Sequence, residues 1–328
     1  MSEVIYAPVM ITTICRYDKF RKCIESLSRC TDADKTEIFI GVDYPAKEEH
    51  WPGYLKIKEF LPEISGFKKV NIFLREKNFG QKKNGKDLKE RIREKYDRYI
   101  STEDDNEFSP NFLQYMNQCL EKYKDDVCVF SVCGYSYMEW EKKTKNYPYN
   151  ALPIHGFCAW GVGNWFKKND GYSVSAMTVN NLIHNKKVVK YLFSLKKHKL
   201  IHYLMYRTNA ADIRRACFYS MNNIYSIYPV VSKVRNKGFD GSATNCAEIN
   251  TYAKQQIDTN ETFILDDFAI EDNEFLQKLH DVHYAKSLFV RILTRIEYSQ
   301  WKYTGKAFLD YSLIRKIIKL KVNLLNNR

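Results

Sequence analysis

Short apolar strands and amphipathic helices take turns along the first 135 residues, and this alternation restricts the fold more than any other property of the chain. Residues 9–13 (VMITT) are β-rich. Residues 17–30 follow as a helix, with Phe20, Cys23, Ile24 and Leu27 on one face. Residues 37–43 (EIFIGVD) read as a second strand, 54–64 as a second helix and 70–75 (VNIFLR) as a third strand. A charged helix over 82–95 and a fourth strand over 97–102 (DRYIST) come next. Ser109 suits a helix cap and Pro110 the first helical position. Phe112, Tyr115, Met116, Cys119 and Leu120 then recur at helical spacing. Residues 127–132 (VCVFSV) form a fifth, wholly apolar strand. The order predicts an α/β fold, a mainly parallel sheet flanked by helices. Ligands in such sheets bind beyond the carboxyl ends of the strands. Those ends are Thr13, Asp43, Arg75 and Glu103, all polar.

Beyond residue 135 the pattern loosens and becomes aromatic-rich. Residues 154–166 hold Gly156, Gly161, Gly163, Trp160 and Trp165. Residues 186–206 read as a basic helical stretch, 212–222 as a helix, 228–235 as a strand or loop, and the chain after 255 as mostly helical. The expected division is one domain over 1–254, with halves at 1–135 and 136–254, and a helical extension over 255–328.

With 328 residues and 45% hydrophobic content the chain can bury a substantial core. Its apolar runs fall below the roughly 20 residues that span a bilayer. Residues 1–8 lack a signal peptide's basic start and apolar stretch, so a cytoplasmic setting is expected. None of the nine cysteines forms a CxxC pair, which argues against a zinc ribbon. The 52 Lys and Arg against 39 Asp and Glu give +13, a balance that favours an anionic partner. A nucleotide diphosphate, an anionic lipid and a nucleic acid all qualify.

The sharpest chemical feature is Glu103-Asp104-Asp105, three carboxylates between a strand and a helix. Adjacent like charges need compensation, and oxygen ligands suit Mg²⁺ or Mn²⁺. A solvated acidic turn at a helix start is the plainer alternative. Asp43 can accept hydrogen bonds from a nucleoside, or serve only as a strand-end turn acid before Tyr44-Pro45. Arg75 can neutralise phosphate. Asn78 and Gly80 shape a turn that opens the next helix, whose N-terminus can receive an anion. The same loop is also readable as an ordinary strand-to-helix connection. Asp212 reads as a general base or as an acid in a helix's first turn, paired with Arg214 or Arg215. Gly156-Phe157-Cys158-Ala159-Trp160-Gly161 can stack on a sugar face or simply pack a core.

Residues 7–13 (APVMITT) with Arg16, residues 103–112 (EDDNEFSPNF) and residues 237–242 (KGFDGS) together resemble the GT-A glycosyltransferases, family 2-like bacterial sugar transferases above all. A more distant similarity is to the N-acetylglucosaminyltransferase I group. The resemblance spans residues 7–250. It implies a GT-A domain whose first half binds a nucleotide sugar, UDP-linked by default, and whose second half binds a glycan or lipid-linked glycan acceptor. It gives Thr12, Thr13 and Arg16 to the nucleotide loop, Asp43 to the nucleoside, and Arg75, Asn78 and Gly80 to the donor. Asp105 becomes the ligand of Mn²⁺ or Mg²⁺, as the last acid of a DxD-type element. Glu103 and Asp104 contact sugar, ribose or metal-bound water. Gly156, Phe157, Trp160 and Gly161 become the acceptor loop. Asp212 becomes the base of an inverting hexosyl or N-acetylhexosaminyl transfer in bacterial surface polysaccharide synthesis. One departure concerns residue 245, where relatives often carry a metal-binding histidine and this chain has Asn245.

Three other readings stand against this one. A sugar-phosphate nucleotidyltransferase needs a glycine-rich loop after the first strand, and residues 12–17 (TTICRY) hold no glycine. A nucleic-acid-binding protein needs clustered basic and aromatic residues, and here Lys and Arg are dispersed, so no nucleic-acid partner is expected. An inactive GT-A-like protein fits the loss of the histidine. The basic amphipathic run over 312–325 can meet an anionic membrane peripherally or dock on its own domain.

Overall fold

A computed structural model describes residues 5–140, 144–145, 147–170, 178–206, 211–238, 252, 255–260, 265, 279 and 288–304. Two compact units divide the chain. The first comprises residues 1–172 and 224–272, the second residues 173–223 and 273–328. The chain thus passes from the first unit to the second, back to the first and again into the second.

The first unit is built on an eight-stranded sheet in the order β3-β2-β1-β4-β8-β6-β9-β7. The strands are β1 (Val9–Thr13), β2 (Glu37–Val42), β3 (Lys69–Leu74), β4 (Arg98–Glu103), β6 (Val129–Cys133), β7 (Ala151–Ile154), β8 (Val162–Trp165) and β9 (Tyr225–Pro229). Strands β3, β2, β1 and β4 run parallel, joined by crossover helices as the alternation predicts. Helix α1 (Tyr17–Ser28) buries Phe20, Cys23, Ile24 and Leu27, the face its spacing defines. Helices α2 (Trp51–Phe60) and α3 (Gly80–Arg93) complete the crossovers. Helix α4 (Phe112–Lys122) follows β4 and packs six side chains inward, Phe112 to Leu120.

The structure departs from the reading at the start of this helix. Helix α4 starts at Phe112, so Ser109 and Pro110 precede it. Ser109 is fully buried and its hydroxyl donates to Asn111 Oδ1 (2.9 Å). The sheet is mainly parallel as expected, with strand β8 entering antiparallel between β4 and β6. A β-strand fits there because Gly163 leaves room for Leu120, which a Cβ would press at 3.1 Å.

Gly161 stands immediately before β8 at φ +62°, where a Cβ would crowd Phe112 and Val234. Gly161→Ala is expected to destabilise the first unit by about 1–3 kcal/mol, combining backbone strain and overpacking. Urea denaturation checks this, and a change under about 0.5 kcal/mol contradicts it.

The second unit is helical, with elements Val179–His184, Lys186–Ser194, His198–Tyr206, Ala211–Met221 and Leu288–Thr304. The basic stretch over 186–206 is two helices, broken where Lys196 turns to φ +56°. Leu192, Ile201, Cys217 and Trp301 lie in its core. Among the described residues no helix is long and apolar enough to cross a membrane.

Candidate active site at the carboxyl ends of the parallel strands

Strands β2, β1 and β4 are neighbours and point the same way, so their last residues meet on one edge. Thr13 ends β1, Asp43 follows β2, and Glu103 ends β4 with Asp104 and Asp105 behind it. Asp43 is buried. Its backbone N–H donates to Thr13 O (2.8 Å), and its Oδ1 accepts from the N–H groups of Phe79 (2.7 Å) and Tyr44 (3.0 Å). Phe79 stands immediately before α3, so this carboxylate ties the strand end to the helix start. Asn78 Nδ2 donates to Tyr44 O (2.6 Å), and Gly80 opens α3 at φ +71°. Tyr44, Trp51 and Tyr54 form an edge-on aromatic group beside Asp43.

Arg75 is turned inward. Its Nε donates to Asn84 Oδ1 (3.0 Å) and its Nη2 to Asp87 Oδ2 (2.7 Å), both on α3. The guanidinium therefore braces β3 against α3.

The acidic pair is the centre of the site. Asp104 and Asp105 are 4% and 6% exposed, too buried for a solvated turn. One oxygen of Asp104 accepts from Thr13 Oγ1 (2.7 Å) and the other pairs with Arg16 Nη2. Asp105 Oδ2 accepts from Arg16 Nη1 (2.6 Å), and its Oδ1 from Asn236 Nδ2 (2.8 Å). The guanidinium of Arg16 therefore straddles both carboxylates. Burial raises the Asp104 carboxyl above its ordinary value, and Arg16 and Thr13 offset only part of that.

Asn236 arrives from far along the chain. Strand β10 (Val234–Asn236) pairs antiparallel with β5 (Asn106–Phe108), which directly follows the acids. A forked ion pair between Arg235 and Glu107 (2.7 and 2.8 Å) fixes the register, with Asn236 opposite Asn106. Lys237 N–H then donates to Asp105 O (2.9 Å), and Gly238 N–H to Asn236 Oδ1 (2.8 Å). Any side chain at Gly238 would run into Asp105 Oδ2. The start of the 237–242 element thus sits against the acids. Residues 239–242 and Asn245 lie outside the described residues.

A divalent metal fits the donor set. Two hard carboxylates already share one cation, the Arg16 guanidinium, and each is held by a second protein donor. Mg²⁺ and similar ions commonly take one or two carboxylates and complete their shell with water and phosphate. Among the described residues no group of three His, Cys, Asp or Glu side chains stands ready as a closed metal site.

The remaining sequence-derived positions are distributed as follows. Thr12 is a partly exposed residue of β1. Gly156 and Phe157 lie between β7 and β8, where Gly156 O accepts from Ser226 Oγ (2.6 Å). Trp160 packs edge-on against Tyr135 and Tyr252. Asp212 belongs to the second unit, exposed in the first turn of helix Ala211–Met221. Sequence reasoning missed Asn236. Its only local signal is its place just before the Lys237-Gly238 element.

No protein-family model and no curated protein matches this chain. Solved structures show distant overlaps. With S. aureus TarS 1–349 the chain shares 9% identity at a TM-score of 0.37, over 69% of this chain and 60% of that one. A further S. aureus TarS structure gives 13% identity and a TM-score of 0.28, and the chain spans a fifth of its length (20%). The mannosyltransferase PcManGT from Pyrobaculum calidifontis, in complex with GDP-Man and Mn²⁺, gives 8% identity and a TM-score of 0.37, covering 68% and 72%. Mouse xyloside xylosyltransferase 1 gives 9% and 0.36, covering 68% and 84%. Overlaps this distant assign neither a family nor an activity.

Proposed function

We propose that the chain is a GT-A-type glycosyltransferase that moves a sugar from a nucleotide-sugar donor to a hydroxyl of a glycan. The observation that carries this is the convergence of Thr13, Arg16, Asp43, Asp104 and Asp105 on the carboxyl edge of three adjacent parallel strands. A ligand with a nucleoside and a diphosphate meets complementary groups there. Asp43 offers acceptors to base or ribose beside the aromatic group of Tyr44 and Trp51, and Arg16 offers a cation to phosphate. Asp105 and Asp104 would hold Mn²⁺ or Mg²⁺. Such an ion supplies charge stabilisation for the departing diphosphate. Gly238 lets its own backbone lie against Asp105 without a side chain in the way.

The finer assignments rest on the sequence resemblance. They are a UDP-sugar donor, hexosyl or N-acetylhexosaminyl transfer with inversion, and a glycan or lipid-linked acceptor of bacterial surface polysaccharide synthesis. Asp212 as base, Gly156, Phe157, Trp160 and Gly161 around the acceptor, and a cytoplasmic, membrane-peripheral setting belong with them. The basic run over 312–325 that motivates the membrane contact lies outside the described residues. Domain limits at 254 and 255 are likewise part of this reading.

The test is thermal stabilisation and donor hydrolysis across a panel of nucleotide sugars, with and without Mn²⁺. A ligand that binds only the folded chain raises the melting temperature by mass action. One nucleotide sugar is expected to raise it with metal and to do less without. No stabilisation by any of them under either condition would falsify the reading.

A further inference from the structure

Arg16 occupies the place where a metal would neutralise the acids, and its surroundings suit it to leave. The two carboxylates are buried, while the Arg16 side chain is 25% exposed. Its main chain is fixed, because Arg16 O accepts from the N–H groups of Lys19 (3.1 Å) and Phe20 (2.9 Å) at the start of α1. Only the side chain has to move. The acids would stay in position without it, since Thr13 still holds Asp104 and Asn236 still holds Asp105.

Charge favours such an exchange. A single guanidinium stands against two carboxyl groups in a buried place. Residual charge there is costly. A divalent ion neutralises the pair fully and frees one positive charge at the edge where a diphosphate would lie.

We propose that Arg16 is a built-in counter-cation that metal and diphosphate displace together. It holds Asp104 and Asp105 ready before ligands arrive, then passes to the phosphate. The proposal rests on the donor reading above. It makes metal and nucleotide binding mutually reinforcing, because each pays part of the displacement of the same side chain. Linkage requires the factor to be equal in both directions.

The experiment is Mn²⁺ titration, read by the electron paramagnetic resonance of free Mn²⁺, on the full chain and on Arg16→Gln, Arg16→Lys and Asp105→Asn. Each is titrated alone, with UDP and with UMP. Without nucleotide, Arg16→Gln is expected to bind Mn²⁺ at least about tenfold more tightly than the unmodified chain. Arg16→Lys keeps the charge and should stay within about threefold of it. In the unmodified chain UDP should tighten Mn²⁺ by about tenfold or more and UMP much less, a result that needs no variant to fold. Asp105→Asn should lose the signal. If UDP and Mn²⁺ bind but Arg16→Gln gains nothing and UDP leaves Mn²⁺ affinity unchanged, the counter-cation role is wrong while the donor site stands. If neither ligand binds any form, the donor reading itself fails.

Discussion

Asp105→Asn is expected to lower metal-dependent turnover by about a thousandfold while leaving the fold intact. On the proposed function, Asp105 would hold the metal that stabilises a departing diphosphate, a contribution of several kcal/mol, and about 4 kcal/mol corresponds to that factor. The fold should survive because the replacement is nearly isosteric. An amide oxygen can still accept from Asn236, and Arg16 keeps its contact with Asp104. Turnover is measured by release of the nucleoside diphosphate at saturating Mn²⁺, and folding by circular-dichroism melting. A variant that melts normally and keeps its rate within tenfold would remove Asp105 from the metal. One that melts far lower would show that the acidic pair is chiefly structural.

The second large effect concerns stability. Lys233 and Asp258 form an ion pair at 3% and 6% exposure, and Asn111 Nδ2 donates to the same Asp258 oxygen (3.0 Å). Asp258 also anchors its own segment, with its N–H donating to Ser232 O (2.8 Å) and its Oδ1 accepting from Asn260 N–H (2.9 Å). Asp258→Ala removes the carboxylate partner of a buried ammonium, and breaking such a pair on one side costs about 3–5 kcal/mol. Replacing both partners, as Lys233→Met with Asp258→Leu, removes the buried charge as well and should recover most of the loss. Urea denaturation of the two variants distinguishes the cases. A single-variant cost below about 1 kcal/mol would mean that water reaches the lysine.

The same group sets an acid limit. Burial pushes the Asp258 carboxyl up, but the donors Lys233, Asn111 and Asn260 outweigh it and hold the group below its ordinary value. A carboxyl depressed in the folded state contributes stability that is complete above the unfolded value of about 3.9. That contribution is lost as pH falls through the folded value. The unmodified chain should therefore lose stability below about pH 4 more steeply than the doubly replaced one.

The parallel half of the sheet was legible because each element carries its own periodicity. VMITT became β1 at the expected residues, and α1 buries the face that the spacing of Phe20, Cys23, Ile24 and Leu27 defines. The acidic element was legible because three charges after an apolar strand need an explanation. The short elements were harder to read. Strands β5 and β10 have three residues each, too few to show a period, and their pairing depends on partners 128 residues apart, Glu107 and Arg235. Strand β8 has two apolar residues around Gly163 and Asn164, and nothing local says that it inserts between β4 and β6. Side-chain direction was hidden as well. Spacing placed Arg75 at a strand end and the resemblance placed Arg16 in the loop after β1, but neither could tell that Arg16 turns to the acids and Arg75 to α3.

The long reach between β5 and β10 has a consequence for biosynthesis. The ribosome delivers Asp104 and Asp105 some 130 residues before Asn236, so the nascent sheet must tolerate two neighbouring carboxylates without that partner. Thr13 and Arg16 have by then already been made, and both belong to the first crossover. The leading half of the molecule therefore carries its own neutralising groups, and it can mature while the residue that completes the site is still untranslated.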